Sequence, residues 1–472
     1  CHHRLWSPNP TGTARFLVPK MGRTTEAIMG RRSLKRAGLL PVVIGITVLV
    51  VTVANLSLAV ASVPTSGRPL VPPVTAKEVQ VLRPTASHSL SRRRDVLQLT
   101  SAGLVAGSPY AALAEQAKQF SAGWTAKDGV QFLTYFNEEN YGAMRDDTRR
   151  TPQFIKAITE RVSERKKAEK RVTVLDIGTG PFALFALAAV RAGADKVYAI
   201  EANGEAAVRA RDFVAEQEDI PEGAVEIIEG FSTAVDLPEK VDLVVAEIMG
   251  VIASEENMIQ TINDAKERHM KNPKDLNNFI PSQVLTYAAP VSYALHNILK
   301  PPRYERLNGQ PLRVNARDRT IELLSEPLVL EDIKWTDPKL PGRGGRWEQQ
   351  PLEFEISASR LETNRQSYYK ALKKEEVPDE EAEPLAKKTA ESFSGMAFWP
   401  KLILDPAGKI VVESRGPAGE HQKSHWPTLL SLMNPEPVPV KAGQKFTLRE
   451  AADFDGDILG PAKYTLKADL KA

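Results

Sequence analysis

The stretch VTVLDIGTGPFALFALAAVRAGADKVYAIEAN (172–203), with VDLVVAEIMGVIASEEN (241–257) after it, decides the fold. Val172, Val174, Leu175 and Ile177 read as a buried strand. Gly178 and Gly180 then let the chain turn tightly into a helix starting near Pro181. A second apolar run, Val197 to Ile200, ends on Glu201, and further strands are expected at Val225 to Ile228 and Val241 to Ala246. This is a doubly wound, Rossmann-like α/β sheet with a nucleotide-type site at the carboxyl ends of its strands.

GTGPFA fits G-x-G-x-x-A, and Glu201 follows about twenty residues on, so a dinucleotide fingerprint is formally met. A nicotinamide-dependent oxidoreductase would use these same residues. Asp176 points elsewhere: an anion beside the turn is of little use to a pyrophosphate but suits a cofactor with a cationic methionine end. Its alternative reading is a cap acid on the following loop.

Several motifs in order resemble the protein arginine methyltransferases, a family of S-adenosylmethionine enzymes. VLDIGTG resembles the first cofactor motif, VYAIEAN the second, and DLVVAEIMGVIASEEN the double-glutamate loop, with Glu247 and Glu256 as its carboxylates. Upstream, YFNEENYGAMRDDTRRT (135–151) resembles the cofactor-covering helix, and SHWP (424–427) resembles the Thr-His-Trp loop. The resemblance implies a Rossmann-like methyltransferase domain at 115–280 and an all-β barrel domain at 281–472. It also implies S-adenosyl-L-methionine as cofactor, an arginine-containing protein as substrate, and a homodimer.

By the same resemblance, Tyr135, Met144, Arg150, Asp176, Gly178, Gly180, Glu201 and Thr233 fall on cofactor-binding positions. Arg150 would pair with the cofactor carboxylate through its forked donors; on residues alone a solvated surface arginine is the favoured reading. Glu201 would take the ribose hydroxyls. Asp147 falls where the family pairs an acid with His425, and this pair would raise the histidine's basicity. His425 would accept the departing proton or hold the N-terminal helix in place. Met258 and Trp426 would line the substrate cleft, and Met144 with Met258 points to asymmetric dimethylation.

Two carboxylates suit the chemistry because arginine keeps its proton far above neutral pH and its nitrogens are poor nucleophiles. Glu247 and Glu256 on one guanidinium would draw positive charge to one side and leave the other nitrogen richer in electrons. Metal is not needed. Two departures stand out. Pro181 and Phe182 make the glycine loop bulkier and stiffer, which leaves open a non-catalytic relative, and Tyr141 takes the place of a cofactor-contacting histidine.

The chain of 472 residues carries net charge +3 and is 42 % hydrophobic. Its charge does not indicate a nucleic-acid partner. The single cysteine, Cys1, excludes an internal disulfide or a cysteine metal cluster.

Residues 1–114 read as a targeting extension. Leu39 to Val63 holds no charged residue and follows RRSLKR, so it could span a bilayer as a signal or anchor, its alternative being a buried helix. SRRRDVLQLTSAGLVAGSPYAALA (91–114) resembles a twin-arginine signal, or else is an amphipathic helix before the catalytic domain. In series these suit a plastid or thylakoid protein, with membrane anchorage through 39–63 as the alternative. From Pro281, short alternating apolar runs broken by Pro, Gly and Asn predict an all-β domain, barrel or sandwich, and the resemblance implies a barrel. KALKKEEVPDEEAEPLAKK, within about 361–391, predicts a solvated helical insertion.

Overall fold

The structure, a computed structural model, describes residues 118–299, 303–416 and 419–471, without the side chains at positions 132, 134, 135 and 298. The expected segments 39–63 and 91–114 lie outside the described residues. Among the described residues no helix is long and apolar enough to cross a membrane.

Five parallel strands form the first sheet: β2 (Thr173–Ile177), β3 (Lys196–Glu201), β4 (Val225–Glu229), β5 (Leu243–Ala246) and β6 (Phe279–Ile280). Their order is β4-β3-β2-β5-β6. β2 and β5 are buried along their whole length, as a parallel sheet covered on both faces requires. Ile177 aligns with Ile200 on one side and Ala246 on the other. The residues that follow these three positions, Gly178, Glu201 and Glu247, therefore emerge side by side at the point where strand order reverses. That crevice is where such sheets bind ligands.

Helices α1 (Gly129–Tyr135), α2 (Glu138–Arg145) and α3 (Thr151–Ala168) precede this sheet. α3 has Pro in its first turn and Arg165, Lys166 and Lys167 in its last, in keeping with helix-end chemistry. It buries Phe154, Ala157, Ile158 and Val162, one face of a 3.6-residue period. Helix α4 (Leu184–Arg191) begins later than the glycine turn predicts, because Ala183 is left-handed, with φ 43°, and such a residue does not propagate an α-helix. α5 (Gly204–Ala215) follows β3. Before α6 (Met258–Arg268), Ala253–Glu256 forms a 3₁₀ turn, and left-handed Asn257, φ 56°, separates the two.

The β domain contains two main antiparallel sheets. In the first, β7 (Gln283–Tyr293) pairs along nine positions with Gly395–Ile403. In the second, Lys445–Asp453 pairs with Lys463–Leu470. No ladder among the described residues joins the two sheets, which is how a sandwich is built, while the resemblance implies a barrel. Alternating strands serve both architectures, and only the meeting of edges decides between them.

The N-terminal strand β1 (Lys118–Thr125) pairs with Lys463–Leu470 over eight positions. It thus belongs to the β domain, although its place in the chain sets it at the head of the methyltransferase segment. The insertion is a pair of helices, Ala358–Lys374 and Asp379–Ala390. It is not wholly solvated: Tyr368, Ala386 and Ala390 form a buried seam, and the Tyr368 hydroxyl lies 2.8 Å from Ser292 Oγ.

Candidate functional site

An open cavity lies at the carboxyl ends of β2, β3 and β5. Gly178 forms its first edge with φ 76°, and a Cβ there would come within 2.9 Å of Ile248 Cγ2. Only glycine lets the turn pass so close to the loop after β5. The N–H of Gly180 donates to Glu201 Oε2 at 2.8 Å, and the N–H of Asn203 donates to Glu201 Oε1 at 2.8 Å. Glu201 thus closes the turn onto the end of β3. Burial pushes its carboxyl up, against the pull of these N–H groups.

The α2 side of the cavity carries Tyr141, Met144 and Arg145. Phe182 also lines the cavity. Its ring meets Phe213 edge-on, with centroids 5.9 Å apart, and the Arg145 guanidinium carbon sits 4.7 Å from its centroid. The bulk that Pro181 and Phe182 bring to the loop is therefore built into the wall. Burial and the neighbouring Glu201 push the Tyr141 hydroxyl up, so it remains a hydrogen-bond donor.

At the inner end Arg150 Nε donates to Glu247 Oε2 at 2.8 Å, and Nη2 donates to the same oxygen. The guanidinium also stands over Phe185, 5.2 Å from its centroid. Glu256 lines the same end. Its carboxyl is pushed up to about 8 by burial, then by Glu255 and Glu247. Glu255, next in sequence, turns away to pair with Arg313 at 2.5 Å. Gly250 makes this possible, since a Cβ there would lie 2.6 Å from that of Glu255. The loop therefore presents two carboxyl groups to the cavity and sends the third elsewhere.

Asp147 and His425 meet across 278 positions: the His425 backbone N–H and Nδ1 each lie 2.9 Å from Asp147 Oδ2. Although burial works against it, the His425 and Arg149 hydrogen bonds hold the Asp147 carboxyl well below the usual carboxylate range. Burial pushes the His425 imidazole down and outweighs the raising effect of Asp147. The expected gain in basicity is thus reversed, because desolvation disfavours the imidazolium more than one carboxylate favours it. Trp426 Nε1 donates to the Met249 carbonyl at 3.2 Å.

Glu247, Glu256, Met144, Arg150, Gly178, Gly180 and Glu201 all line the cavity. Others differ from expectation. Asp176 is buried beneath the turn, where Thr179 Oγ1 donates to its Oδ2 at 2.6 Å; burial pushes its carboxyl up to about 7. This is the cap-acid geometry. Ser232, not Thr233, reaches the cavity; both lie in the turn that follows Phe231. Met258 and Trp426 are buried in packing and braced against the double-glutamate loop, not set on the cavity wall. The side chain of Tyr135 lies outside the described residues.

The sequence reading missed Asn257 and Thr261, which line the cavity beyond Glu256. Asn257 Nδ2 is buried without a hydrogen-bond partner. The only sequence signal was their spacing, about one helical turn apart on the face that starts at Glu256.

The cavity fits an S-adenosylmethionine-type ligand in three respects: the glycine turn admits close backbone approach, Glu201 offers acceptors, and Asn257 offers an orphan donor. Residues 134–275 match the family model described as PRMT5 arginine-N-methyltransferase. The protein arginine N-methyltransferase PRMT10 of Arabidopsis thaliana is 34 % identical over 167 residues, covering 34 % of this chain and 40 % of that protein. The probable protein arginine N-methyltransferase 6.1 of Oryza sativa subsp. indica is 31 % identical over 203 residues, covering 43 % of this chain and 49 % of the relative. The chain thus spans less than half the length of these curated relatives. A crystal structure of Arabidopsis thaliana protein arginine methyltransferase 10, described as a uniquely open conformation, is similar at TM-score 0.49 and 18 % identity, covering 72 % of this chain and 100 % of that one.

Proposed function

We propose, on the premise that residues 134–275 belong to the protein arginine N-methyltransferase family, that this chain transfers a methyl group from S-adenosyl-L-methionine to an arginine of a protein substrate. The observation that carries this reading is the pair Glu247 and Glu256 at one end of the cavity, beyond the glycine turn and Glu201. Two carboxyl groups there suit a guanidinium, whose arrival favours the ionised form of Glu256.

Glu201, Gly178 and Gly180 would hold the nucleoside part of the cofactor, and Arg150 its carboxylate. When bound, the cofactor supplies an electrophilic methyl group on a sulfonium. Glu247 and Glu256 orient the guanidinium, offset its charge beside that sulfonium and leave one nitrogen electron-rich. Asp147 and His425 do not line the cavity; they pin the loop 424–427 to the junction of α2 and α3, which also carries Arg150. A proton leaving the substrate nitrogen is taken by a carboxylate of the pair or by solvent.

The test is transfer of labelled methyl to arginine peptides by the parent, Glu247→Gln and Glu256→Gln chains. At an effective dielectric of about 20 and a separation of about 4 Å, one lost charge is worth roughly 4 kcal/mol, up to about a thousandfold in rate. Cofactor affinity should stay within a few-fold. Equal activity in the mutants would reject the two-carboxylate mechanism.

The stretch before 115 we read as an address for a plastid or thylakoid, with membrane anchorage through 39–63 as the second reading. The basic run and the charge-free segment support it. Import into isolated plastids, full chain against one starting at 115, decides; equal import of both would reject it.

A further inference from the structure

The strand Leu328–Lys334 pairs with β7, but its register shifts between Val329 and Glu331. This β-bulge breaks the strand's alternation: Leu330 and Glu331 are consecutive and both buried. Bulges re-aim side chains, and this one turns a carboxyl group into the protein interior. There Glu331 Oε1 accepts from Ser254 Oγ and Oε2 accepts from Thr286 Oγ1. Ser254 Oγ is also 2.8 Å from the Tyr464 hydroxyl, and Thr286 Oγ1 accepts the backbone N–H of Ala253 at 2.8 Å. Ala253 and Ser254 open the 3₁₀ turn that ends on Glu256. Every contact in this network therefore bears on the one turn that aims the second glutamate.

We propose that Glu331 is a positioning residue for methyl transfer: from the β domain it fixes the turn Ala253–Glu256, and so the place of the Glu256 carboxyl opposite Glu247. This rests on the arginine-methylation reading above. The need for such a brace follows from the loop itself. The Glu256 carboxyl makes no side-chain hydrogen bond or ion pair among the described residues, and Asn257 behind it is in a left-handed conformation. Thus nothing local to Glu256 fixes its direction. A displacement of about 1 Å at such a site costs on the order of 10²-fold in rate. Glu450 lies near Glu331, and burial pushes both carboxyls up. Burial works against the charged form of Glu331, and glutamine is its uncharged isostere, which keeps one acceptor in place.

Glu331→Ala is compared with Glu331→Gln and Ser254→Ala in the full chain. The readouts are kcat and KM for an arginine peptide, the Kd of S-adenosylhomocysteine and the unfolding midpoint. Positioning predicts that Glu331→Ala lowers kcat/KM for the peptide about 10- to 100-fold, with cofactor Kd within about threefold. Glu331→Gln should restore most of the loss, and Ser254→Ala should fall between. An unchanged kcat/KM in Glu331→Ala overturns the proposal. So does a matching loss of cofactor affinity, which would mark a scaffold role. If Glu331→Ala does not fold, Ser254→Ala decides by the same criteria. A parent chain that methylates no arginine peptide overturns the functional reading together with this one; an active parent with an indifferent Glu331→Ala overturns this one alone.

Discussion

The Arg150 guanidinium and the Glu247 carboxylate, 97 positions apart, form an ion pair whose side chains are only 7 % and 5 % exposed. The residue expected to hold a cofactor carboxylate is thus also bound to the residue expected to hold a substrate. One guanidinium serves both partners, with five donors to divide between them. In the structure, two of its nitrogens face Glu247, and Nη1 reaches the Met144 carbonyl and Thr151 Oγ1 at 3.3 Å each.

This sharing separates two variants. Arg150→Ala should weaken S-adenosylmethionine binding by roughly 1.5 to 3 kcal/mol, the range of charge-assisted hydrogen bonds. It should also lower stability by about 3 to 5 kcal/mol, because Glu247 is left as a buried, unpaired charge. Glu247→Gln frees the guanidinium, so cofactor affinity should hold or tighten slightly. Isothermal titration of both variants checks this, and equal weakening in the two would refute the shared-partner view.

Glu256 gives a pH signature. Its carboxyl, pushed up to about 8 by burial and by its glutamate neighbours, is largely protonated in the free site at neutral pH. An arriving guanidinium favours the ionised form, so peptide binding should release up to one proton between about pH 6 and 8. Affinity should rise with pH across that window. For the free protein the sign is opposite: a raised carboxyl contributes stability below its unfolded value and loses it as pH rises through about 8. Glu256→Gln should flatten both trends. Calorimetry in buffers of different ionisation enthalpy counts the protons, and urea midpoints across pH follow the stability.

Two truncations locate the start of the folded unit. A chain beginning at 115 keeps β1 and should match the unfolding midpoint of the full chain. One beginning at 127 loses eight ladder positions and Trp124, whose ring stacks on Tyr464 with centroids 5.1 Å apart. Loss of a buried tryptophan alone costs about 3 to 5 kcal/mol. Thermal unfolding of both chains is the measurement; equal midpoints would mean that β1 adds nothing to the fold.

Much of the site was legible because its positions are tied to strand ends. Gly178, Glu201 and Glu247 each follow an apolar run directly, and a parallel sheet necessarily brings those ends together. Glu256 was legible only by resemblance, since a spacing of nine residues does not say which way a loop folds. Asp176, one residue before the end of buried β2, was misplaced because the pleat alone decides which face a strand residue takes. For Met258 and Trp426, chemistry suited to a cleft wall is equally suited to a packed brace.

What the sequence by itself determined was the parallel sheet, its crevice, and the residue types that meet there, because apolar periodicity and glycine turns act locally. It also set the alternating texture of the β domain. What only the tertiary structure decided were relations between distant segments. The return of β1 to the C-terminal strand, the Asp147–His425 contact and the Arg150–Glu247 pair each depend on how separate elements pack. The neutralising pressure on Glu256 and the reversed basicity of His425 arise in the same way. Both are desolvation effects, and desolvation is a property of everything that surrounds a group, not of its neighbours in the chain.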